Sequence, residues 1–138
     1  MALRVLTPAS KKASIYSDFH KDLTLSPVSN DLALIKDEDA VKESIKNLIL
    51  TDPGERPMQP RLGGGIRNLL FENMTPGVLK LIEDRIQTTI KTYEPRARLI
   101  DVTVTTTFDD NQVGVRIVFY VVNNQQPIEL DVILERIR

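Results

Sequence analysis

Apolar residues recur along this chain with two different periods, and the change from one to the other divides it. Val41, Ile45, Leu48 and Ile49 fall at i, i+4, i+7 and i+8, the spacing of one helix face. Asp37 stands ahead of them as the expected N-cap, with Glu38 and Asp39 in the first turn, where the helix dipole favours acids. Thr51-Asp52-Pro53-Gly54 ends the run. A second helical stripe, Leu79, Ile82, Ile86, Ile90 and Tyr93, opens at Thr75-Pro76 and stops at Pro95. A capping hydroxyl followed by proline at the first helical position is a strong start signal.

Beyond Pro95 the period falls to two. Ile100, Val102, Val104 and Phe108 alternate with Asp101, Thr103, Thr105 and Thr107, as in a half-buried strand. Val113, Val115, Ile117, Phe119 and Val121 form one face of the next run, and Val118, Tyr120 and Val122 make its other face apolar too. Ile128, Leu130, Val132 and Leu134 then alternate with Glu129, Asp131 and Glu135. Asp109-Asp110-Asn111 and Asn123-Asn124-Gln125-Gln126-Pro127 supply turn chemistry between the runs. The middle run is expected at the centre of a sheet, and the last at an edge open to another chain. Two main helices packed on a small antiparallel meander sheet make an α+β fold.

Upstream, residues 1–30 carry little periodicity and read as an extended N-terminal arm, with residues 31–138 as a single α+β domain. Leu32 to Ile35 is expected as a brief strand. Ile15, Tyr16, Phe19, Leu23 and Leu25 on the arm need a surface to lie on, in this chain or in a partner.

Between the helices, the run from Thr51 to Pro76 concentrates proline, glycine and arginine. A flexible linker would be poor in apolar anchors, yet Leu62, Ile66, Leu69, Leu70 and Phe71 interleave here, and Ile66, Leu69 and Leu70 have the spacing of a short buried helical turn. A nucleotide phosphate loop needs a Gly-Lys pair followed by Ser or Thr, which is absent. Gly63-Gly64-Gly65 could present amides to an anion beside Arg61 and Arg67, but glycines also serve close packing or positive φ. Glu55, Glu72, Glu83 and Glu94 are the carboxylates available for paired-acid hydrolysis. Glu55 precedes Arg56, and Arg96 follows Glu94 by two residues; a guanidinium lowers a carboxyl pKa, which suits an ion pair better than a general acid. A rigid, shaped loop is the better reading, with prolines 53, 57 and 60 fixing φ and Glu55 and Arg56 clamping it to its neighbours.

Composition removes several function classes. The 138 residues carry a net charge of −1, so no global field recruits nucleic acid or an anionic membrane. Cysteine is absent, which excludes disulfides and thiol chemistry and fits assembly in a reducing cytoplasm. The one histidine, His20, lacks the spacing partners of a zinc site, so neither metal nor other cofactor is expected.

"TDPGERPMQPRLGGGI", "LLFENMTP" and "YEPRARL", in that order and with a long helix before the last, resemble the small baseplate wedge subunit of T-even-type contractile-tailed phages. That family includes a type VI secretion baseplate counterpart, and the resemblance runs from about residue 14 to 137. It implies a structural virion protein of the tail baseplate, assembled in the host cytoplasm, that links the wedge core to the sheath. Such a sheath initiator starts sheath assembly by β-strand addition. The partners implied are other wedge proteins, through their helical core bundle, and tail-sheath subunits.

Glu94, Pro95 and Arg96 match the family's Glu-Pro-Arg motif, which contacts the core bundle. Thr51, Gly54, Glu55, Arg56, Pro60 and Gly63 match its Gly-Glu-Arg loop, and Leu70, Phe71 and Glu72 its Leu-Phe-Glu segment, both mainly architectural. The strand bearing Ile128, Leu130, Val132 and Leu134 is the one expected to meet sheath. Family members have also been labelled lysozyme-like. With these acids beside arginines, no catalytic residue is assigned, and a peptidoglycan-degrading tail hydrolase is the alternative.

Overall fold

The computed structural model describes residues 14–107, 112–122, 124 and 126–135. Residues 1–13 of the arm, Phe108, the Asp109-Asp110-Asn111 turn, Asn123, Gln125 and residues 136–138 lie outside the described residues.

The chain opens with a short ribbon. Strand β1 (Ser17–Phe19) pairs antiparallel with β2 (Leu34–Lys36), and a Leu25–Leu32 bridge continues the pairing toward the turn. The arm region is therefore ordered against the first residues of the domain. Ile15, Phe19, Leu23 and Leu25 of the arm are each more than half accessible, whereas Tyr16 is partly buried and packs against the core.

Helix α1 (Asp37–Leu50) buries Val41, Ile45, Leu48 and Ile49, the stripe the spacing predicts. Asp37 is not its N-cap. Lys36 occupies that position in extended backbone with no side-chain cap bond. Asp37 is the first helical residue, at φ +48, and its carboxylate accepts the amides of Ile15 (2.8 Å) and Tyr16 (3.3 Å). The acid that could have capped the helix ties down the arm instead.

Helix α2 (Ile66–Leu70) is the short turn expected inside the glycine-rich run, with Ile66 and Leu70 buried. Helix α3 (Pro76–Tyr93) starts where predicted, with Thr75 Oγ1 accepting the Val78 amide at 3.4 Å, and buries Ile82, Ile86 and Ile90. Aliphatic side chains from all three helices meet the sheet in one apolar core, with Phe119 and Ile117 fully buried.

That sheet has the order β3 (Ala97–Thr107), β4 (Gln112–Val121), β5 (Ile128–Glu135), antiparallel throughout and with β4 central. Val113, Val115, Ile117, Phe119 and Val121 of β4 are buried, as their alternation predicts. On β3 one expectation fails: Ile100 is 47% exposed. The register slips there, with Leu99 opposite Phe119 and Asp101 opposite Val118, so Ile100 is the extra residue of a β-bulge. The bulge shifts the inward positions from Ala97 and Leu99 to Val102 and Val104. No helix among the described residues is long and apolar enough to cross a membrane.

Candidate functional site

The Glu-Pro-Arg triplet forms the corner between α3 and β3. The Glu94 amide closes the last turn of α3 on the Ile90 carbonyl, and the Glu94 carbonyl accepts the Ala97 amide that starts β3. Glu94 is only 3% exposed. Arg96 grips its carboxylate with a two-pronged pair, Nε to Oε1 at 2.6 Å and Nη2 to Oε2 at 2.8 Å, while Ser44 Oγ of α1 also donates to Oε2. Burial pushes the Glu94 carboxyl up, but the hydrogen bonds from Arg96 and Ser44 and the Arg96 charge outweigh it and hold the carboxyl below its ordinary value. The hydrogen bond to Glu94 pushes the Arg96 guanidinium higher still.

The same guanidinium lies over the Tyr16 ring, 5.6 Å from its centroid, which brings the arm into the corner. The Arg96 carbonyl accepts the Val122 amide at 3.0 Å, joining the end of β4 to it as well. Pro95 is exposed and Arg96 partly so. The corner thus unites α1, α3, the sheet and the arm, and offers Pro95 and one side of Arg96 outward.

The proline- and glycine-rich loop is held by contacts of its own. Thr51 Oγ1 donates to the Asn47 carbonyl at the end of α1, the Thr51 carbonyl accepts the Gly64 amide, and the Gly54 amide donates to the Pro60 carbonyl. Tyr93 Oη donates to the Arg61 carbonyl at 2.7 Å, which pins the loop to α3. Glu55 accepts the Asp52 amide (3.1 Å) and, with Asp52, approaches Arg67 of α2. The clamping cation is therefore Arg67; the Arg56 side chain is exposed and enters no ion pair among the described residues. Of the three successive glycines, Gly63 is the most constrained: it sits at φ +126, and a Cβ there would lie 2.3 Å from the Thr51 carbonyl oxygen. Leu70 is buried, whereas Phe71 and Glu72 are exposed.

The two edges of the main sheet differ. On β3 the Val104 amide donates to Glu83 Oε1 of α3 at 3.3 Å, so one donor of that edge is already engaged by a helix side chain. On β5, among the described residues, no hydrogen bond from outside the sheet reaches the backbone. Ile128, Val132 and Leu134 are buried and Leu130 is partly so; all four face the core and fix the strand. What β5 turns outward is its edge backbone and the row Glu129, Asp131, Ile133 and Glu135. Sequence alternation located this strand, but the protection of the other edge by Glu83 had no local signal.

A profile of the family described as baseplate wedge protein gp25 matches residues 36–126. The baseplate wedge protein gp25 of Enterobacteria phage T4 is 34% identical over 118 residues, covering 83% of this chain and 86% of the relative. Among solved structures, a Geobacter sulfurreducens protein provisionally named a tail lysozyme superposes with a TM-score of 0.67 at 26% identity, over 73% of this chain and 92% of that one. A chain of the anti-feeding prophage baseplate superposes with a TM-score of 0.62, also at 26% identity, over 89% and 87% of the two chains. This chain belongs to the baseplate wedge protein gp25 family.

Proposed function

We propose that the protein is a structural, non-enzymatic wedge component of a contractile-tail baseplate, which joins the wedge core to the sheath and starts sheath assembly by lending the β5 edge to an incoming strand. The observation that carries the strand-addition reading is the asymmetry of the sheet. One edge has a donor engaged by Glu83 of α3, and the other runs open along β5 on side chains locked in the core. Backbone groups of an open edge supply affinity to an added strand without needing a matched side-chain surface. The wedge contact falls on the opposite device, the corner of Glu94, Pro95 and Arg96. Glu94 is buried, so the groups available to a partner there are Pro95 and the outer side of Arg96.

A hydrolase would require a free carboxylate pair. Glu94 is held by Arg96, Glu55 by Arg67 and the Asp52 amide, and Glu83 by Lys80 and the Val104 amide. None of these is positioned as a free acid, and Glu72 lies on the surface.

Co-purification of tagged protein with the tail proteins of its own system tests both contacts. Neighbouring residues of a strand point their N–H groups to opposite sides, so of Asp131→Pro and Val132→Pro one removes an outward donor. That variant is expected to lose sheath and keep the wedge proteins. Paired Glu94→Gln and Arg96→Gln removes the outward charge without stranding a buried one, and is expected to lose the wedge proteins. Sheath retention by both proline variants would sink the strand-addition reading. Cell-wall clearing abolished by Glu55→Gln or Glu72→Gln would replace it with hydrolysis.

A further inference from the structure

The strip between α1 and β5 ends in an open apolar cavity of about 520 Å³. Buried Ile49, Ile66, Leu70 and Leu134 form its floor. Leu50, Phe71 and Ile133 line it too, and are 43%, 51% and 65% exposed. Further along the same strip, Lys42 and Lys46 of α1 and Leu130 and Asp131 of β5 line a smaller cavity, so both lie beside the open edge. Ile133, Leu134 and Glu135 at the end of β5 line the larger one, so a strand added along that end would border it.

The charges around this cavity specify what can enter it. Asp52 and Glu135 line it, and Glu55 stands beside Asp52. The guanidinium in their midst, Arg67, is already shared between Asp52 (3.4 Å) and Glu55 (3.7 Å). Among the described residues, Glu135 meets the neutral Gln112 amide, at 3.4 Å. Along β5 the outward row adds Glu129 and Asp131, where Arg116 pairs with Asp131 at 3.0 Å and also feels the charge of Glu129. Around the larger cavity Asp52, Glu55 and Glu135 face one guanidinium, Arg67, while Lys42 and Lys46 stand further along the strip; the local excess of acid over an apolar floor favours a basic strand there over an acidic one.

We propose that this cavity is the socket of the β5 interface: it takes one bulky apolar side chain from a partner strand whose flanking residues are lysine or arginine. The socket rests on the strand-addition reading and adds to it a register and a choice of partner. Edge pairing alone tolerates any slip by two residues. A side chain seated between Leu50, Phe71 and Ile133 fixes one register, and the acids select which strand is accepted. Anchors of this kind, an apolar group in a pocket surrounded by polar contacts, concentrate binding energy at interfaces.

The test uses the full chain and labelled peptides that alternate lysine with valine and carry a single phenylalanine, followed by fluorescence anisotropy. Replacing phenylalanine by alanine, or the lysines by glutamate, is expected to weaken binding at least tenfold. Leu50→Ser and Ile133→Ser are each expected to weaken it similarly while thermal unfolding stays cooperative; having two variants guards against one misfolding. Equal binding of the lysine and glutamate peptides, or binding untouched by both serine variants, overturns the socket. If both serine variants bind normally while one proline variant of β5 does not, strand addition stands and the socket alone fails. If none of these variants matters, both readings fail. Residues 136–138, Arg-Ile-Arg, have the matching chemistry and are the competing occupant. Peptide binding that appears only in a chain ending at Glu135 would give the socket to the chain's own tail and overturn the partner assignment.

Discussion

Gly63 packs its backbone where a methyl group would overlap the Thr51 carbonyl oxygen, and it does so at a φ that side chains avoid. Gly63→Ala is expected to lower stability by about 2–4 kcal/mol, combining overpacking and backbone strain, as read by the urea midpoint. Gly54→Ala is the control: φ is +95 there, but nothing lies within 4 Å of the added carbon, so only the strain remains. Composition announced that this loop needs special backbone, but not which glycine supplies it, because the clash comes from a carbonyl twelve residues away. The same distance hid Arg67 as the loop's cation, since adjacency on the chain had favoured Arg56.

Glu94 gives a prediction with a pH sign. Its folded-state pKa lies below the ordinary carboxylate value, so its contribution is complete above the ordinary range, about 4.3, and fades as pH falls through the depressed folded value. Glu94→Gln is expected to cost about 1–3 kcal/mol at pH 7. Its stability is also expected to fall less steeply than the wild type's on acidification below about pH 5. Parallel pH profiles for the two proteins would show that the pair contributes nothing through its charge. The Glu-Pro-Arg motif was visible as a string, but Ser44 and Tyr16, which complete the corner, lie on other elements and carried no signal.

For the elements, periodicity was enough wherever one face alone is buried. It located α1, α3 and the central strand β4, and Thr75-Pro76 marked the start of α3 to the residue. It failed at Ile100 because a bulge changes which parity faces inward, and strict alternation cannot express that change. Edge protection belongs to this scale too. Glu83→Ala is expected to leave the Val104 amide without its acceptor, at a cost of about 1 kcal/mol. The uncovered β3 edge is then expected to self-associate, visible as a rise in mass by light scattering as concentration increases. A monomeric, equally stable variant would show that α3 shields the edge by bulk and not through this bond.

At the scale of the whole molecule, the two contacts proposed for assembly fall on different elements, the corner where α3 meets β3 and the outer flank of β5. Family membership was readable from three short motifs, because they record the loop and corner that fix this frame. The socket was not readable, since Leu50, Phe71 and Ile133 meet only when α1, α2 and β5 are packed.

The guarded β3 edge carries one more consequence. A sheet that can be extended from both sides lets growth run either way and lets copies of itself join into fibres. With Glu83 engaging a donor on one side, the strand addition proposed above would run outward from β5. A seed with a single live end gives a polymer a fixed polarity from its first subunit. It also limits each seed to one filament.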